Sequence, residues 1–221
     1  MVSRSNIQKS EGKAEEAPNK VKVILFDLGG VFINFSHEQY AAELSKRGNV
    51  SPEKALDSFK RLVKLSDMSK IKIREFEHRL AEEVGIKGRI NYYKDFSRFV
   101  SPIPEVKEIA EGLARAYTLG ILSTIGQVPY IATINRGFLD PKLFKAKFLS
   151  WCLGVAKPDP VIFQHTVSTL GERFEVQPNQ ILFIDDLNVN IAGAVDVGMK
   201  GIVFQNPQQL RAELKRLLRA S

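Results

Sequence analysis

Residues 21–32 read VKVILFDLGGVF, an almost unbroken apolar run that stops at Asp27 and turns through Gly29-Gly30. A strand buried on both faces has this composition, because neither of its sides alternates with polar residues. Four more short runs of the same kind follow: TLGILST (118–124), KAKFLSW (145–151), QILFIDD (180–186) and KGIVFQ (200–205). Helical stretches separate them. VIFQHTVSTLG follows Asp159-Pro160, an N-cap residue with proline in the first turn, and is expected to stop at Gly171. NVNIAGAVDVG is expected to stop at Gly198, a C-cap glycine. Alternation of strand and helix implies right-handed crossovers and a parallel sheet covered on both faces. The fold class is therefore α/β, a doubly wound, Rossmann-like core.

Residues 36–104 break the alternation. HEQYAAELSKRG, SPEKALDSFKRLVKL, IREFEHRLAEEVG and INYYKDFSRFV are amphipathic helical patterns, with no strand expected among them. Ser51-Pro52 supplies a start, and Gly48 and Gly85 supply stops. A block of about 70 residues between the first strand and the rest reads as an inserted helical subdomain. The expected organisation is a polar, disordered tail over 1–20, a core formed by 21–35 and 105–221, and the helical insertion at 36–104.

The 221 residues, 44% hydrophobic, are enough for one sizeable core. No stretch approaches the roughly 18 apolar residues that span a bilayer. The first twenty residues lack an apolar signal segment, so the cytoplasm is the expected compartment. Cys152 is the only cysteine, which excludes an intrachain disulfide and a cysteine-rich zinc site, and it is expected to be a small core residue. The formal charge is +7, and residues 36–104 hold 14 basic against 10 acidic side chains. There is no run of five or six like charges and no aromatic RNA-binding signature, so neither nucleic acid nor membrane is an expected partner. The surplus fits solvated helix faces with a bias towards small anions.

Ligands of an open parallel sheet bind beyond the carboxyl ends of its strands. The polar residues there are Asp27 after the first strand, Ser123 and Thr124 after the second, and Asp185 and Asp186 after the fourth. Lys157 follows the third in the loop GVAKPDP. Singly, each has an ordinary reading as a turn residue, a helix cap or a surface lysine. Together, on one sheet edge, they are the parts for phosphoryl transfer through an aspartyl-phosphate. Two anions approach only with help, which a Mg²⁺ ion held by oxygen ligands provides. A lysine and a hydroxyl then hold the remaining phosphate oxygens.

The order ILFDLGGVF, LGILST, GVAKPDP, ILFIDD resembles the haloacid dehalogenase superfamily of hydrolases over nearly all of 21–205. The resemblance implies that Asp27 is the nucleophile and that Ser123 binds phosphate, with Thr124 and Gly30 beside it. It implies that Lys157 neutralises nucleophile and phosphate, and that Asp185 and Asp186 hold Mg²⁺ with Asp27 and the Gly29 carbonyl. The helical block looks like the cap that closes over small substrates in such enzymes. One position departs from the pattern: Gly29 stands where most phosphatases of the family carry a second aspartate, the general acid and base. Three consequences are open: a substrate with a good leaving group such as a sugar 1-phosphate, a proton from the cap or a bound water, or weak or absent activity. The expectation is a Mg²⁺-dependent phosphatase of a small phosphorylated metabolite, such as a sugar phosphate. A metal-independent dehalogenase also lacks that second aspartate but has no need of the pair Asp185-Asp186. A non-catalytic binding protein of the same fold is the rival from another class.

Weaker features complete the survey. Asn190, four residues after Asp186, shares its helix face and is a candidate to orient the acidic pair. Thr124 and Gly126 are candidates to offer backbone N–H groups, and Asn34 to touch substrate. His37, His78 and His165 are expected on helix surfaces or in packed positions. Tyr92, Tyr93, Phe96 and Phe99 are expected to serve core packing. The basic amphipathic RAELKRLLRA is expected to pack on the core.

Overall fold

The computed structural model describes residues 20–219. The tail expected over 1–20 thus lies, but for Lys20, outside the described residues. The first strand, β1 (Val23–Phe26), is fully buried. A short β2 (Ile33–Phe35) leads into helices α1 (His37–Gly48), α2 (Pro52–Asp67), α3 (Ile73–Val84) and α4 (Tyr92–Phe99), and β3 (Val100–Pro102) leads out. The chain continues through α5 (Pro104–Leu113), β4 (Thr118–Ser123), α6 (Gln127–Asn135), β5 (Phe144–Leu149), α7 (Ser150–Leu153) and α8 (Pro160–Phe174). It ends with β6 (Ile181–Asp185), α9 (Asn188–Asp196), β7 (Lys200–Val203) and α10 (Pro207–Arg219).

Five strands form a parallel sheet in the order β5-β4-β1-β6-β7, with Phe26 level with Ile121 on one side and Ile184 on the other. The order reverses beside β1, so the residue that follows it faces the crevice where such sheets bind ligands. The strand's period of two divides the core. Val23 and Leu25 pack with Phe163 and Phe183 under α8 and α9, whereas Ile24 and Phe26 pack with Phe32, Phe144 and the buried faces of α5 and α10. Leu210 and Leu214 bury the apolar stripe of α10, as expected for the C-terminal helix. No helix among the described residues is long and apolar enough to cross a membrane.

The helical block is built around its own aromatic cluster of Tyr40, Phe59, Phe76 and Tyr92, all buried. Ser51 caps α2 by accepting from the Lys54 N–H at 3.2 Å. Gly48 allows α1 to meet α3, since a side chain there would run into the Val84 carbonyl.

Three expectations fail here. Residues 100–102 form β3, which pairs antiparallel with β2 through Asn34 and Ser101. With one buried residue in three, it carries no strand signal of its own. Helix α8 does not stop at Gly171 but runs to Phe174 and ends on Glu175 in a left-handed conformation, φ 52°. Cys152 is exposed on the short α7 instead of sitting in the core.

Candidate active site

The site begins where β1 ends. The Asp27 N–H still donates to the Ile184 carbonyl at 2.9 Å, which fixes the backbone, and Oδ1 accepts from the Leu28 N–H at 2.7 Å. The chain then folds back tightly, with Phe32 and Ile33 N–H both donating to the Leu28 carbonyl. Gly30 sits at φ +71° with Asp186 against it, so a methyl group at that position would collide with the Asp186 carboxylate. Gly29 is different: nothing lies within 4 Å of where its side chain would begin.

Lys157 reaches the same point from the loop before α8. Its N–H donates to Thr124 Oγ1 at 3.1 Å, and its side chain is 1% exposed. The ammonium donates to the Leu122 carbonyl at 3.0 Å and lies between Asp27 Oδ1 at 3.0 Å and Asp185 Oδ2 at 2.5 Å. Asp185, the last residue of β6, is fully buried. Its Oδ1 accepts from the Leu187 N–H at 2.8 Å, and the Asn190 amide donates to both of its oxygens. Asn190 thus holds the buried acid, but through Asp185 and not through Asp186, from which its spacing is counted and which precedes α9. Asp185, not Asp186, also bonds the first N–H of the segment leading into α9.

Asp27, Asp185 and Asp186 each place an oxygen within 4.8 Å of the others. Burial pushes the Asp27 carboxyl from its usual 3.8 up to about 6; Lys157 pulls it back down, and Asp185 pushes it up again. Asp186 is raised by burial and then by Asp185. Ser123, at the end of β4, is fully buried, and its hydroxyl meets no partner at hydrogen-bonding geometry. It is still near enough to Asp27 to lower that carboxyl's pKa.

These residues fit a hard divalent cation. Three carboxylates face one ammonium in a largely buried space, a charge deficit that an oxygen-liganded Mg²⁺ matches. When bound, the ion would supply Lewis-acid polarisation of a phosphoryl oxygen. The unsatisfied Ser123 hydroxyl is a ready donor for an oxyanion beside Asp27.

A cavity of about 630 Å³ opens over Asp27, floored by Asp27, Gly29, Gly30, Thr124, Lys157 and Asp186. Its opposite wall comes from the helical block. His37, Val63, Asp67, Tyr92 and Phe96 line it, and Asn34 and Phe35 lie at its side. Tyr92 and Phe96 are buried in the core and His37 packs against Phe35 and Phe59, as expected, and all three also face the cavity; His165 packs against Phe148. Asp67 was not singled out at all. One local signal existed: an acidic residue in the last turn of a helix opposes the helix dipole and calls for another reason to be there.

A family profile for haloacid dehalogenase-like hydrolases matches residues 21–198. D-ribitol-5-phosphate phosphatase of Bacteroides thetaiotaomicron is 24% identical over 211 residues, covering 90% of this chain and 98% of that protein. Flavin mononucleotide hydrolase 1 of Arabidopsis thaliana is 36% identical over 84 residues, which is 36% of this chain and only 33% of that enzyme's length. Among solved structures, a HAD family enzyme of Bacteroides thetaiotaomicron, in complex with magnesium and inorganic phosphate, superposes with a TM-score of 0.72. It is 22% identical, with 84% of this chain and 95% of that one covered, a likeness that shows the fold. The chain belongs to the haloacid dehalogenase-like hydrolases.

Proposed function

We propose that this protein is a Mg²⁺-dependent phosphatase that hydrolyses a small phosphorylated metabolite through a phosphoryl intermediate on Asp27. The observation that carries this reading is the Lys157 ammonium between Asp27 and Asp185, with Asp186 beside them. In the first step a carboxylate oxygen of Asp27 attacks phosphorus and the bond to the leaving oxygen breaks. In the second, water attacks the same phosphorus, releasing inorganic phosphate and the free carboxylate. Lys157 neutralises charge on both, Ser123 and the Thr124 backbone hold phosphate oxygens, and Asp27, Asp185, Asp186 and the Gly29 carbonyl are the cation's ligands, whereas the Gly30 N–H is already given to the Ile33 carbonyl at 2.8 Å. The helical block at 36–104 acts as the cap that closes the site.

The acidic pair argues against metal-free dehalogenation, and a buried lysine bridging two carboxylates adds little net stability, which favours a catalytic role over a pure scaffold. Ile33, Phe35, Val63, Phe96 and Ile125 make much of the cavity wall apolar. That favours an alcohol portion with an apolar face over a fully hydroxylated sugar. The deciding experiment is phosphate release from a panel of phosphomonoesters with Mg²⁺ or EDTA, for wild type and Asp27→Asn. Turnover that needs Mg²⁺ and vanishes in the variant supports the proposal; activity that survives either change defeats it.

A further inference from the structure

Breaking a P–O bond to an alcohol leaves an alkoxide that needs a proton, and position 29 offers no side chain to give one. Besides the cluster around Lys157, the titratable side chains lining the cavity among the described residues are His37, Asp67 and Tyr92. Burial lowers the His37 pKa, favouring the neutral ring, and raises Tyr92 well above the ordinary phenol range, so neither is a good donor and acceptor near neutrality. Asp67 is the remaining group. It closes α2, and its carbonyl accepts from Ser150 Oγ at 2.6 Å; the same hydroxyl accepts from the Ile125 N–H at 3.0 Å. That relay ties the end of α2 to the segment directly after Ser123 and Thr124. The carboxylate itself lies against Gly126, where a side chain would meet Oδ1.

We propose that Asp67, from the helical block, is the general acid and base of the reaction, replacing the carboxylate that position 29 lacks. This rests on the phosphatase reading above. In the first step protonated Asp67 gives its proton to the leaving oxygen as that oxygen parts from phosphorus. In the second, the resulting carboxylate takes a proton from the attacking water, and Asp67 returns to its starting state. Burial supports the assignment by holding the carboxyl at about 7, against the weaker opposing pull of the Gly126 backbone. A group poised there exchanges protons efficiently at neutral pH. Tyr92 is the nearby titratable neighbour that feels it.

The test compares an alkyl phosphate, whose leaving group needs a proton, with acetyl phosphate, whose leaving group does not. Asp67→Asn should lower the single-turnover rate of Asp27 phosphorylation by the alkyl phosphate about 10²–10⁴-fold and that by acetyl phosphate less than about tenfold, while hydrolysis of the phosphoryl intermediate, common to both, slows equally. Adding Gly29→Asp to that variant, in the open space at 29, should restore part of the alkyl phosphate activity. In a variant with the wild-type circular dichroism spectrum, equal losses in the phosphorylation step with both substrates, or no loss with either, would overturn the inference. Wild-type turnover of acetyl phosphate without any alkyl phosphate would also overturn it while leaving the phosphatase reading intact. Wild-type inactivity on both would defeat the phosphatase reading itself.

Discussion

Replacing Lys157 with methionine keeps most of the side-chain volume and removes the ammonium between Asp27 and Asp185. At the 3.0 Å separation from Asp27, one contact at an effective dielectric of about 20 amounts to roughly 5.5 kcal/mol of Coulomb attraction. The ammonium's own desolvation offsets several kcal/mol of this. Removing one member of such a buried group typically costs about 3–5 kcal/mol, because the partners remain buried without their counter-charge. For a chain of this length that is a fall in Tm of about 6–20 °C in EDTA near neutral pH. The deficit should shrink towards about pH 4, where the carboxyls escape repulsion by taking protons. Mg²⁺ should then stabilise the variant more than the wild type, since it supplies the missing positive charge; at a hundred times its Kd it contributes about 2.7 kcal/mol. Thermal denaturation followed by circular dichroism, with and without Mg²⁺, reads all of this. A variant as stable as wild type in EDTA, or one that gains no more from Mg²⁺, would refute the electrostatic account.

The remaining predictions concern the same cluster. The Asp27 pKa is raised from 3.8 to about 6, so the folded state binds the extra proton. Stability of the metal-free protein present below about pH 3.8 should be lost as pH rises through about 6, by roughly 3 kcal/mol, measurable by urea denaturation in EDTA. Saturating Mg²⁺ should abolish that loss. Gly30→Ala should weaken Mg²⁺ binding at least about tenfold by calorimetry, because the added methyl displaces Asp186 and the φ of +71° carries a strain of about 1–2 kcal/mol. Unchanged affinity would mean that Asp186 is not a ligand. Asn190→Ala frees both Asp185 oxygens and should cost about 10–100-fold in Mg²⁺ affinity, with little change in Tm once Mg²⁺ is saturating.

The central strands β1, β4 and β6 were legible because a doubly buried strand is apolar nearly throughout, and the edge strands β5 and β7 because short β-rich runs recur between helical stretches. For the same reason Asp27, Ser123, Asp185 and Asp186 could be placed from sequence: the strand carries the position, and parallel strands in register bring their ends together. Asn190 stands out by its four-residue step from Asp186, but Asp186 lies before α9 and the bond goes to Asp185. What escaped depends on packing that no local pattern encodes. β3 exists because β2 lies beside it, and its sequence VSP has one buried residue. Gly171 looked like a stop, but the helix continues across it and finds its end at Glu175, where the left-handed turn is made without glycine. Cys152 follows a buried strand in sequence yet sits on a short helix that turns it outwards. Asp67, Tyr92 and Phe96 join the site only because four helices fold over the sheet edge, so their roles could not be read from α2 or α4 alone.

The cluster's charge balance also constrains how the site can fill. Asp27, Asp185 and Asp186 carry up to three negative charges against the single ammonium of Lys157, and a phosphate monoester brings nearly two more. Without a cation the pocket therefore repels its substrate. Burial first, and Asp185 with it, raises the Asp27 carboxyl to about 6 against the pull of Lys157 and raises Asp186 as well, so both acids keep their protons to higher pH than free carboxyls do. A protonated Asp27 is a poor nucleophile, so below about pH 6 the metal-free site both repels phosphate and lacks its attacking group. Positive charge added near Asp186 relieves the two together. Phosphate affinity and Asp27 ionisation should thus rise in step as Mg²⁺ is added, and tight binding of inorganic phosphate in EDTA would contradict that coupling.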